Sequence, residues 1–400
     1  MNERPLKICH ANIITPHRII PNGCLLIQGT SIAAVAAHDI EITDADIIDA
    51  AGKYVAPGFI DIHVHGGGGF DFMDATEEAF LAIAETHARY GTTALSPTTL
   101  TGTQQHLLHT LEVYEQANKN NHKGASFIGM HLEGPYFSIN QRGAQDPRYI
   151  RNPDPKEYMD VVSRSTAVKR WSAAPELPGA IAFGQYLRAH NILVSLAHTD
   201  AIYEEVLEAY ENGYTLATHL YSSMLGVTRR NAIRYAGAVE AAFLLDGMDV
   251  EIIADGIHLP APLLKLVYKI KGADKTALIT DAMRAAGTNH TESVLGHPET
   301  GLKVIIEDGV AKLPDRSSFA GSIATADQLV RNMITLADVP LADAVKMMSL
   351  TPATIMGIAN KKGLLAPGKD ADIVIFDKDI TIHNTIIMGN PVYNRPAGIA

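Results

Sequence analysis

Two hydrophobic rhythms divide this chain. Between residues 53 and 281, short apolar runs alternate with stretches whose apolar residues recur at helical spacing. The short runs are typical of buried strands and the periodic stretches of amphipathic helices, so their alternation predicts a parallel sheet covered by helices. The predicted strands are 54–65, 92–97, 126–133, 168–175, 192–198, 215–219, 251–254 and 276–281, and the predicted helices between them are 76–90, 104–118, 180–190, 201–212 and 260–271.

The number and spacing of these strands favour a (β/α)8 TIM barrel over an open doubly wound sheet. An irregular insertion over 285–320 follows the last strand and contains a predicted hairpin around Glu307-Asp308-Gly309. Helices are predicted again over 322–337 and 341–349.

Both chain ends show a different pattern, that of short strands with little helical periodicity. Strands are predicted over 7–14, 24–28, 31–36 and 47–48, with a turn at Pro21-Asn22-Gly23, and again over 369–393, where 371–376 is the clearest. The simplest arrangement joins residues 1–52 and 365–400 into one small β-sandwich domain. Residues 53–364 are then a barrel inserted between them, and the fold class is α/β.

Composition is that of an ordinary soluble globular protein, with 46% hydrophobic and 19% charged residues. A formal net charge of −11 argues against nucleic-acid binding, which needs a basic stripe. It also means that an anionic substrate must find locally placed cations. The chain starts with polar residues and contains no long apolar run, so we expect no leader peptide and no membrane partner. Cys9 and Cys24 lie far from the histidine clusters, which favours buried reduced thiols in a cytoplasmic protein.

The tripeptide His63-Val64-His65 ends the first predicted barrel strand. Residues i and i+2 of a strand point to the same side, so both imidazoles project together from the strand end. Neutral imidazole is the commonest protein ligand of metals, and this pair is therefore half of a metal site. With 17 histidines in the chain such a pair also arises by chance, so residues on other strands must decide the question.

Other predicted strands end in residues of the same chemistry. Catalytic residues of TIM barrels lie at the C-terminal ends of the strands. Those ends carry His63, His65, Glu133, His198, His219 and Asp281. Imidazoles and carboxylates gathered on one rim are typical of a catalytic metal site.

Each residue alone has a plainer interpretation. His198 or His219 could be a hydrogen-bonded core histidine, Glu133 could cap a turn, and Asp281 could accept a hydrogen bond from a histidine. Their joint placement favours the metal site, with Glu133 balancing the charge of the ion and Asp281 as general base and acid. His131, two residues before Glu133, is interpreted as a core or supporting residue and not as a ligand.

These motifs resemble the amidohydrolase superfamily, and within it the branch that deacetylates N-acetylamino sugar 6-phosphates. The segments that carry the resemblance are Pro57-Gly58-Phe59-Ile60-Asp61-Ile62-His63-Val64-His65-Gly66, His131-Leu132-Glu133-Gly134-Pro135, Ala174-Pro175-Glu176, Ala197-His198-Thr199-Asp200-Ala201, Thr218-His219-Leu220, Ile253-Ala254-Asp255-Gly256, Ile279-Thr280-Asp281-Ala282 and Ala320-Gly321-Ser322. They run in the order of the family. Related cyclic-amide hydrolases commonly use a carboxylated lysine where this chain has Glu133, and no lysine stands in this strand.

The resemblance implies hydrolysis of an N-acetylamino sugar 6-phosphate, most often N-acetylglucosamine 6-phosphate, to the amino sugar phosphate and acetate. It implies that Glu133, His198 and His219 hold the principal divalent ion, which could be Zn, Fe, Mn or Co. His63 and His65 are implied to hold a second, so that one or two ions bind. Asp281 is implied to be the acid/base.

The resemblance also implies how the sugar phosphate is held. His258 matches a substrate-binding histidine, and Arg230, next to Arg229, matches an arginine that reaches the phosphate across the interface of a homodimer. The planar fork of arginine suits phosphate. A solvated basic loop is the alternative for both arginines.

Two departures from the family pattern fall in the sugar pocket. Ser222-Ser223 stands where the family usually has Asn-Ala, and Gln145 stands where it usually has a histidine near the substrate carbonyl. Glutamine donates a hydrogen bond but carries no charge, so polarisation of the carbonyl would depend more on the metal. The departures leave gluco and galacto configurations of the sugar both open.

Two other functions stay open on sequence alone. One is hydrolysis of N-acyl amino acids or cyclic amides on the same barrel, which requires no phosphate. The other is a catalytically inactive homologue that only binds sugar phosphate, although a complete set of ligands and acid/base argues against it.

Overall fold

The apolar runs of the central region form a curled parallel sheet in the computed structural model, which describes residues 4–396. In chain order the strands are β1 Leu6–Ile14, β2 Ile19–Gln28, β3 Ser31–Ala36, β4 Asp46–Asp49, β5 Tyr54–Pro57, β6 Phe59–Val64, β7 Gly66–Gly67, β8 Phe70–Asp71, β9 Thr92–Pro97, β10 Ser126–Phe127, β11 Met130–Glu133, β12 Val168–Ala173, β13 Leu193–Leu196, β14 Tyr214–Ala217, β15 Thr228–Arg230, β16 Ile233–Tyr235, β17 Asp249–Ile252, β18 Thr276–Leu278, β19 Glu292–Leu295, β20 Leu302–Glu307, β21 Val310–Lys312, β22 Ile373–Phe376, β23 Ile382–Ile387 and β24 Asn390–Asn394. The α-helices are α1 Glu77–Ala88, α2 Gln104–Asn120, α3 Pro155–Arg164, α4 Ala180–Ala189, α5 Tyr203–Glu211, α6 Ala238–Leu244, α7 Ala261–Lys271, α8 Ala326–Ala337, α9 Leu341–Met347 and α10 Leu350–Ile355.

The curled sheet consists of two parallel sets of strands. One set is β6, β9 and β10, and the other is β11, β12, β13, β14, β17 and β18. The bridge between Thr98 and His131 joins the sets on one side, and the bridge between Val64 and Ala282 joins them on the other. Because all these strands are parallel, their C-terminal ends lie on one rim, as the sequence predicted.

The two chain ends share a second sheet. Its strand order is β24-β23-β22-β5-β1-β2-β3, with β4 beside β1. Ile8, Leu25, Val55 and Ile373 are fully buried in the core of this sheet. That the sheet is a two-layered sandwich stays a prediction.

The helices that cover the curled sheet begin at sequence signals of the expected kind. Thr76 precedes α1, and its hydroxyl oxygen accepts a hydrogen bond from the backbone N–H of Ala79 at 3.2 Å. Asp154 caps α3 in the same way, with Pro155 at the first helical position. The helix α3 and the helix α6 were not predicted, although this Asp-Pro pair was a usable start signal for α3.

The single strand predicted over 54–65 is wrong. The segment divides at Gly58 into β5, which pairs with β1 and β22, and β6, which pairs with β9. A side chain at Gly58 would lie 2.2 Å from Thr93, so glycine is required where the chain passes from one sheet to the other. The continuous apolar run hid this change of sheet.

Three smaller expectations had different outcomes. The turn predicted at Pro21-Asn22-Gly23 lies inside β2, where Asn22 has φ of 49° and the pairing with β1 is irregular, so a bulge replaces the turn. The strand predicted over 126–133 is interrupted near Gly129, which has φ of 108°. The hairpin around Asp308 is confirmed as β20–β21.

Among the described residues, no helix combines the length and apolarity needed to span a bilayer.

Candidate metal centre

Glu133 is the point on which four imidazoles converge. It is the last residue of β11 and is almost completely buried. The Nε2 atoms that surround its carboxylate lie 3.0 to 3.5 Å from the nearer oxygen, in the order His219, His198, His65 and His63. The strand ends predicted to share one rim therefore bring these side chains within reach of a common ion.

Hydrogen bonds to backbone carbonyls fix the orientation of two of these rings. Nδ1 of His65 donates to the carbonyl oxygen of Thr98 at 3.2 Å, and Nδ1 of His198 donates to that of Gln141 at 2.8 Å. The proton on Nδ1 leaves the Nε2 lone pair facing Glu133. A lone pair that faces a carboxylate is repelled unless a cation lies between them, so the donor set fits a bound metal.

The ligand atoms fall into two overlapping groups among the described residues of the rim. One group is His63, Glu133 and His219, and the other is His63, His65 and Asp281. The atoms of each group lie within 4.8 Å of one another. His198 belongs to neither group, although its Nε2 lies 3.4 Å from the same Glu133 oxygen that His219 contacts. His63 belongs to both groups through the same Nε2 atom, which has one lone pair and can bind only one ion at a time.

Asp281 lies beside the second histidine of the pair. Its Oδ1 is 3.1 Å from Nε2 of His65 and 3.5 Å from Nε2 of His63. Its backbone N–H donates to the carbonyl oxygen of His63 at 3.0 Å, and this bond ties the segment that follows β18 to β6. The side chain is only 12% exposed, and the exposed part faces the cavity described below.

Burial and mutual contact set the charges of this cluster. Burial works to lower the pKa of His65, but hydrogen bonds with Asp281 and Glu133 outweigh it and hold the pKa well above its usual value. Burial works to raise the pKa of Glu133, but the charge of His63 and hydrogen bonds from the other histidines hold it well below the usual range. The cluster therefore keeps its carboxylates ionised and attracts positive charge, either as protons or as a metal ion.

Beneath the rim lies a buried ion pair that the sequence did not reveal. Arg170 of β12 and Glu251 of β17 have no exposed surface and bond through both guanidinium NH2 groups and both carboxylate oxygens. Glu251 Oε2 is 3.8 Å from Nδ1 of His63. Arg170 also donates to the carbonyl oxygen of Ile62 at 3.1 Å. The pair therefore supports the strand that carries His63.

His131 is part of this supporting layer and of neither ligand group. Its Nδ1 is 3.3 Å from the hydroxyl of Thr98 and its Nε2 is 2.5 Å from that of Ser172. Its ring lies edge-on against the ring of His63, with 4.7 Å between centroids. These contacts agree with the interpretation of His131 as a supporting residue.

A cavity of about 470 Å³ opens above the cluster. His65, Glu133, His198, His219 and Asp281 form its deepest part, while His63 lies beneath them. Of the residues predicted to contact substrate, the cavity wall includes Gln145, Ser222, Ser223 and His258.

Gln145 lines the cavity and is also bonded to Glu133. Its amide nitrogen donates to Glu133 Oε2 at 2.6 Å, and its amide oxygen accepts from the backbone N–H of Thr101 at 2.9 Å. Both ends of the amide are engaged, so Gln145 holds the carboxylate of Glu133. His258 is held through Nδ1 by Asp255 at 2.6 Å, and its ring packs against Phe319.

Arg230 does not line the cavity of its own chain. It lies on the exposed β15–β16 hairpin with Arg229, and its guanidinium is 5.5 Å from the ring centre of Tyr235. The arginine and lysine that do line the cavity are Arg316 and Lys312, which belong to the insertion after β18. Sequence reasoning missed both, because nothing in an irregular segment shows where it folds back.

Known proteins resemble this chain over almost its whole length. The Amidohydrolase family signature matches residues 54–392. The chain is 36% identical over 370 residues to N-acetylglucosamine-6-phosphate deacetylase of Lysinibacillus sphaericus, covering 90% of each protein. It is 32% identical over 378 residues to N-acetylgalactosamine-6-phosphate deacetylase of Escherichia coli, covering 94% of this chain and 96% of that protein.

The fold is similar to solved structures of deacetylases. A mutant N-acetyl-D-glucosamine-6-phosphate deacetylase of Mycobacterium smegmatis, in complex with N-acetyl-D-glucosamine-6-phosphate, matches with a TM-score of 0.89 and 29% identity, covering 98% of this chain and all of that one. The N-acetylglucosamine-6-phosphate deacetylase of Pasteurella multocida matches with a TM-score of 0.91 and 26% identity over the same shares.

Proposed function

This chain belongs to the amidohydrolase family, and we propose that it removes the acetyl group from an N-acetylamino sugar 6-phosphate. N-acetylglucosamine 6-phosphate is the first substrate to test, and the products are the amino sugar 6-phosphate and acetate. The convergence of four imidazoles on Glu133, with Asp281 beside them at the bottom of a cavity, carries the proposal.

Glu133, His198 and His219 are proposed to hold the principal divalent ion, and His63 and His65 a second. Zn, Fe, Mn and Co all suit nitrogen and carboxylate ligands. When bound, such an ion polarises the acetyl carbonyl and makes a nearby water more acidic. The two ligand groups leave the number of ions at one or two, with His63 bound to only one of them.

Asp281 is proposed to move the proton. Burial works to raise its pKa, but the charge of His63 and the hydrogen bond from His65 lower it, so the carboxylate is ionised at neutral pH. It accepts a proton from the attacking water and returns that proton to the departing sugar nitrogen. Its exposed edge faces the cavity, where both of these atoms must lie.

The remaining contacts to substrate are proposed from the cavity wall. His258 presents its Nε2, because Asp255 occupies Nδ1, and the hydroxyls of Ser222 and Ser223 are available to the sugar. Gln145 acts by orienting Glu133. Arg230, exposed on its hairpin, is proposed to reach the phosphate bound by a second subunit of a homodimer.

We also propose the finer architecture that the sequence predicted. The bridges at both edges of the curled sheet support its closure into a (β/α)8 barrel, and the sheet of the chain ends is proposed to form a small β-sandwich. The barrel domain is assigned to 53–364 and the small domain to 1–52 and 365–400. The pairing of β5 with β1 and β22 favours moving the first boundary to residue 57.

Two further assignments rest on chemistry and resemblance. Cys9 and Cys24 are both free and buried, which supports a reducing, cytoplasmic setting. A galacto-configured substrate is the second candidate, because a relative named for it is 32% identical over 94% of this chain. Hydrolysis of N-acyl amino acids or cyclic amides and an inactive binding role are less well supported than deacetylation.

The test is an acetate-release assay on purified protein, coupled to elemental analysis. The panel contains N-acetylglucosamine 6-phosphate, N-acetylgalactosamine 6-phosphate, both unphosphorylated sugars, an N-acetyl amino acid and a cyclic amide. We expect release from at least one of the two sugar phosphates and a stoichiometric divalent metal. Activity confined to the last two compounds would overturn the proposal, as would no release from any of the panel by metal-loaded protein.

A further inference from the structure

We propose that Lys312 and Arg316, on the insertion after the last barrel strand, bind the phosphate of the substrate from within the same subunit. This inference rests on the proposed function. It adds two residues of the insertion to the phosphate contact proposed for Arg230 of a second subunit, and it makes the insertion part of the binding site.

The segment that carries the two cations is a turn closed by its own backbone. Leu313 N–H donates to Ser318 O at 3.0 Å, and Arg316 N–H donates to Leu313 O at 2.8 Å. A bridge pairs Lys312 with Phe319 across the base of the turn. The turn is therefore a defined part of the cavity wall.

The C-terminal end of this turn is anchored to the candidate site. Phe319 packs against the ring of His258, with 4.4 Å between centroids. Three residues farther along, Ser322 N–H donates to the carbonyl oxygen of Asp281 at 2.8 Å. The position of the two cations is thus fixed relative to the acid/base residue.

The turn also faces the metal ligands across a glycine. A methyl group built on Gly143 would lie 3.6 Å from the Oγ of Ser318 and 3.6 Å from Cε1 of His198. It would also lie 2.7 Å from the Oγ of Ser223. The turn, the serine wall and the metal cluster therefore enclose one small space.

Charge singles out these two residues. Among the described residues that line the cavity, Lys312 and Arg316 are the only lysine or arginine. A phosphate dianion is attracted to these two side chains. This attraction would orient a sugar phosphate with its phosphate toward the turn and its acetamido group toward the metal.

Two carboxylates hold the cations in place. Arg316 bonds both oxygens of Glu307, at 2.8 and 3.1 Å, and Lys312 Nζ lies 2.8 Å from Asp308 and 3.2 Å from Glu307. The side chain of Arg316 is 61% exposed, so its remaining N–H donors can take a ligand. Arginine also adopts φ of 59° here, a left-handed conformation that is unfavourable for any residue but glycine and concentrates at functional sites.

The experiment compares seven variants with the wild type. Lys312→Met, Arg316→Gln and their double variant remove the contacts inferred here, and Arg230→Gln removes the contact proposed from the second subunit. Lys303→Gln, an exposed cation of the same hairpin that does not line the cavity, is the matched control. Acetate release is measured with N-acetylglucosamine 6-phosphate and, at high enzyme concentration, with N-acetylglucosamine.

We expect each single substitution to lower kcat/KM for the phosphorylated sugar about tenfold and the double variant about a hundredfold. The loss should be in KM, with the unphosphorylated sugar and the Lys303 control unaffected. Lys312→Arg and Arg316→Lys should recover most of the activity. Equal losses on both sugars, no loss, or loss only in Arg230→Gln would overturn the inference.

A direct binding measurement separates this inference from the proposed function. If the wild type deacetylates none of the sugar phosphates, calorimetric titration with inorganic phosphate decides the question on the same proteins. A Kd that rises at least tenfold in the double variant supports the phosphate site even without deacetylation. An unchanged Kd, or no binding to the wild type, refutes it.

Discussion

Replacing Arg170 with methionine is predicted to lower the free energy of unfolding by about 3–5 kcal/mol. Arg170 and Glu251 face each other across the interior of the curled sheet, and neither has any exposed surface. The substitution leaves the Glu251 carboxylate without its charge partner, and His63 Nδ1, 3.8 Å away, is too far to replace it. It also removes the donors to Ile62 O and to the hydroxyls of Ser195 and Thr218.

A double variant tests whether the loss arises from the unpaired charge. Methionine at both 170 and 251 removes the two opposite charges together. Replacing a buried ion pair by apolar residues of similar volume often leaves the free energy of unfolding unchanged. We therefore expect Arg170→Met with Glu251→Met to recover most of the stability that Arg170→Met alone loses. The two substitutions should show a coupling energy of about 2–3 kcal/mol.

Urea unfolding followed by circular dichroism measures the wild type, Arg170→Met, Glu251→Met and the double variant. The control is Lys265→Met, which breaks the ion pair with Asp338 on the surface, where the side chains are 50% and 76% exposed. We expect that loss to stay below about 1 kcal/mol. The reasoning is refuted if Arg170→Met costs no more than the surface control, or if the effects of the two buried substitutions simply add.

Three further predictions concern the rim and the strand that carries His63. Asp281→Asn should lower the turnover number by roughly 10²- to 10⁴-fold in the acetate assay while the metal content stays that of the wild type; a near-normal rate would exclude its acid/base role. A chelator should lower the melting temperature of the wild type, because an ion whose concentration is about a thousandfold its Kd adds about 4 kcal/mol to the free energy of unfolding. The melting temperature of the Glu133→Gln protein should not change with the chelator. Burial raises the pKa of Asp61 to about 7, so the folded state holds a proton that the unfolded chain has released, and stability should fall as pH rises from about 4 to 7. Thermal melts across this range should show that slope in wild type and a flatter one in Asp61→Asn.

The residues of the rim could be predicted because strand ends are visible in sequence. His63 and His65 end an apolar run two residues apart, and the period of a strand puts them on one side. Glu133 and His219 end runs of the same kind, and a parallel sheet brings such ends together. Their contacts around Glu133 therefore follow from local patterns plus one rule of topology.

Residues whose position depends on distant segments could not be predicted in this way. Lys312 and Arg316 reach the cavity only because an irregular segment folds back over it. The orientation of the Gln145 amide depends on Thr101, which lies 44 positions earlier and whose backbone N–H donates the second hydrogen bond of that amide. Arg170 was hidden because a charged residue within a strand, here next to Lys169, does not indicate a partner on the opposite side of the sheet.

The rim is built against the preferences of its own backbone. His198, His219 and Asp281 follow their strands at φ of 47°, 30° and 48°, in the left-handed region that non-glycine residues rarely adopt. Each such residue costs about 1–3 kcal/mol and persists only where its surroundings fix it. Backbone hydrogen bonds do so here: Ser138 N–H donates to His198 O at 2.9 Å, and Asp281 N–H donates to His63 O. Glycine would relieve the strain but has no side chain that could act as a ligand, so the strain is a consequence of directing three side chains at one point. The proposed ion, by stabilising the folded state, would offset it.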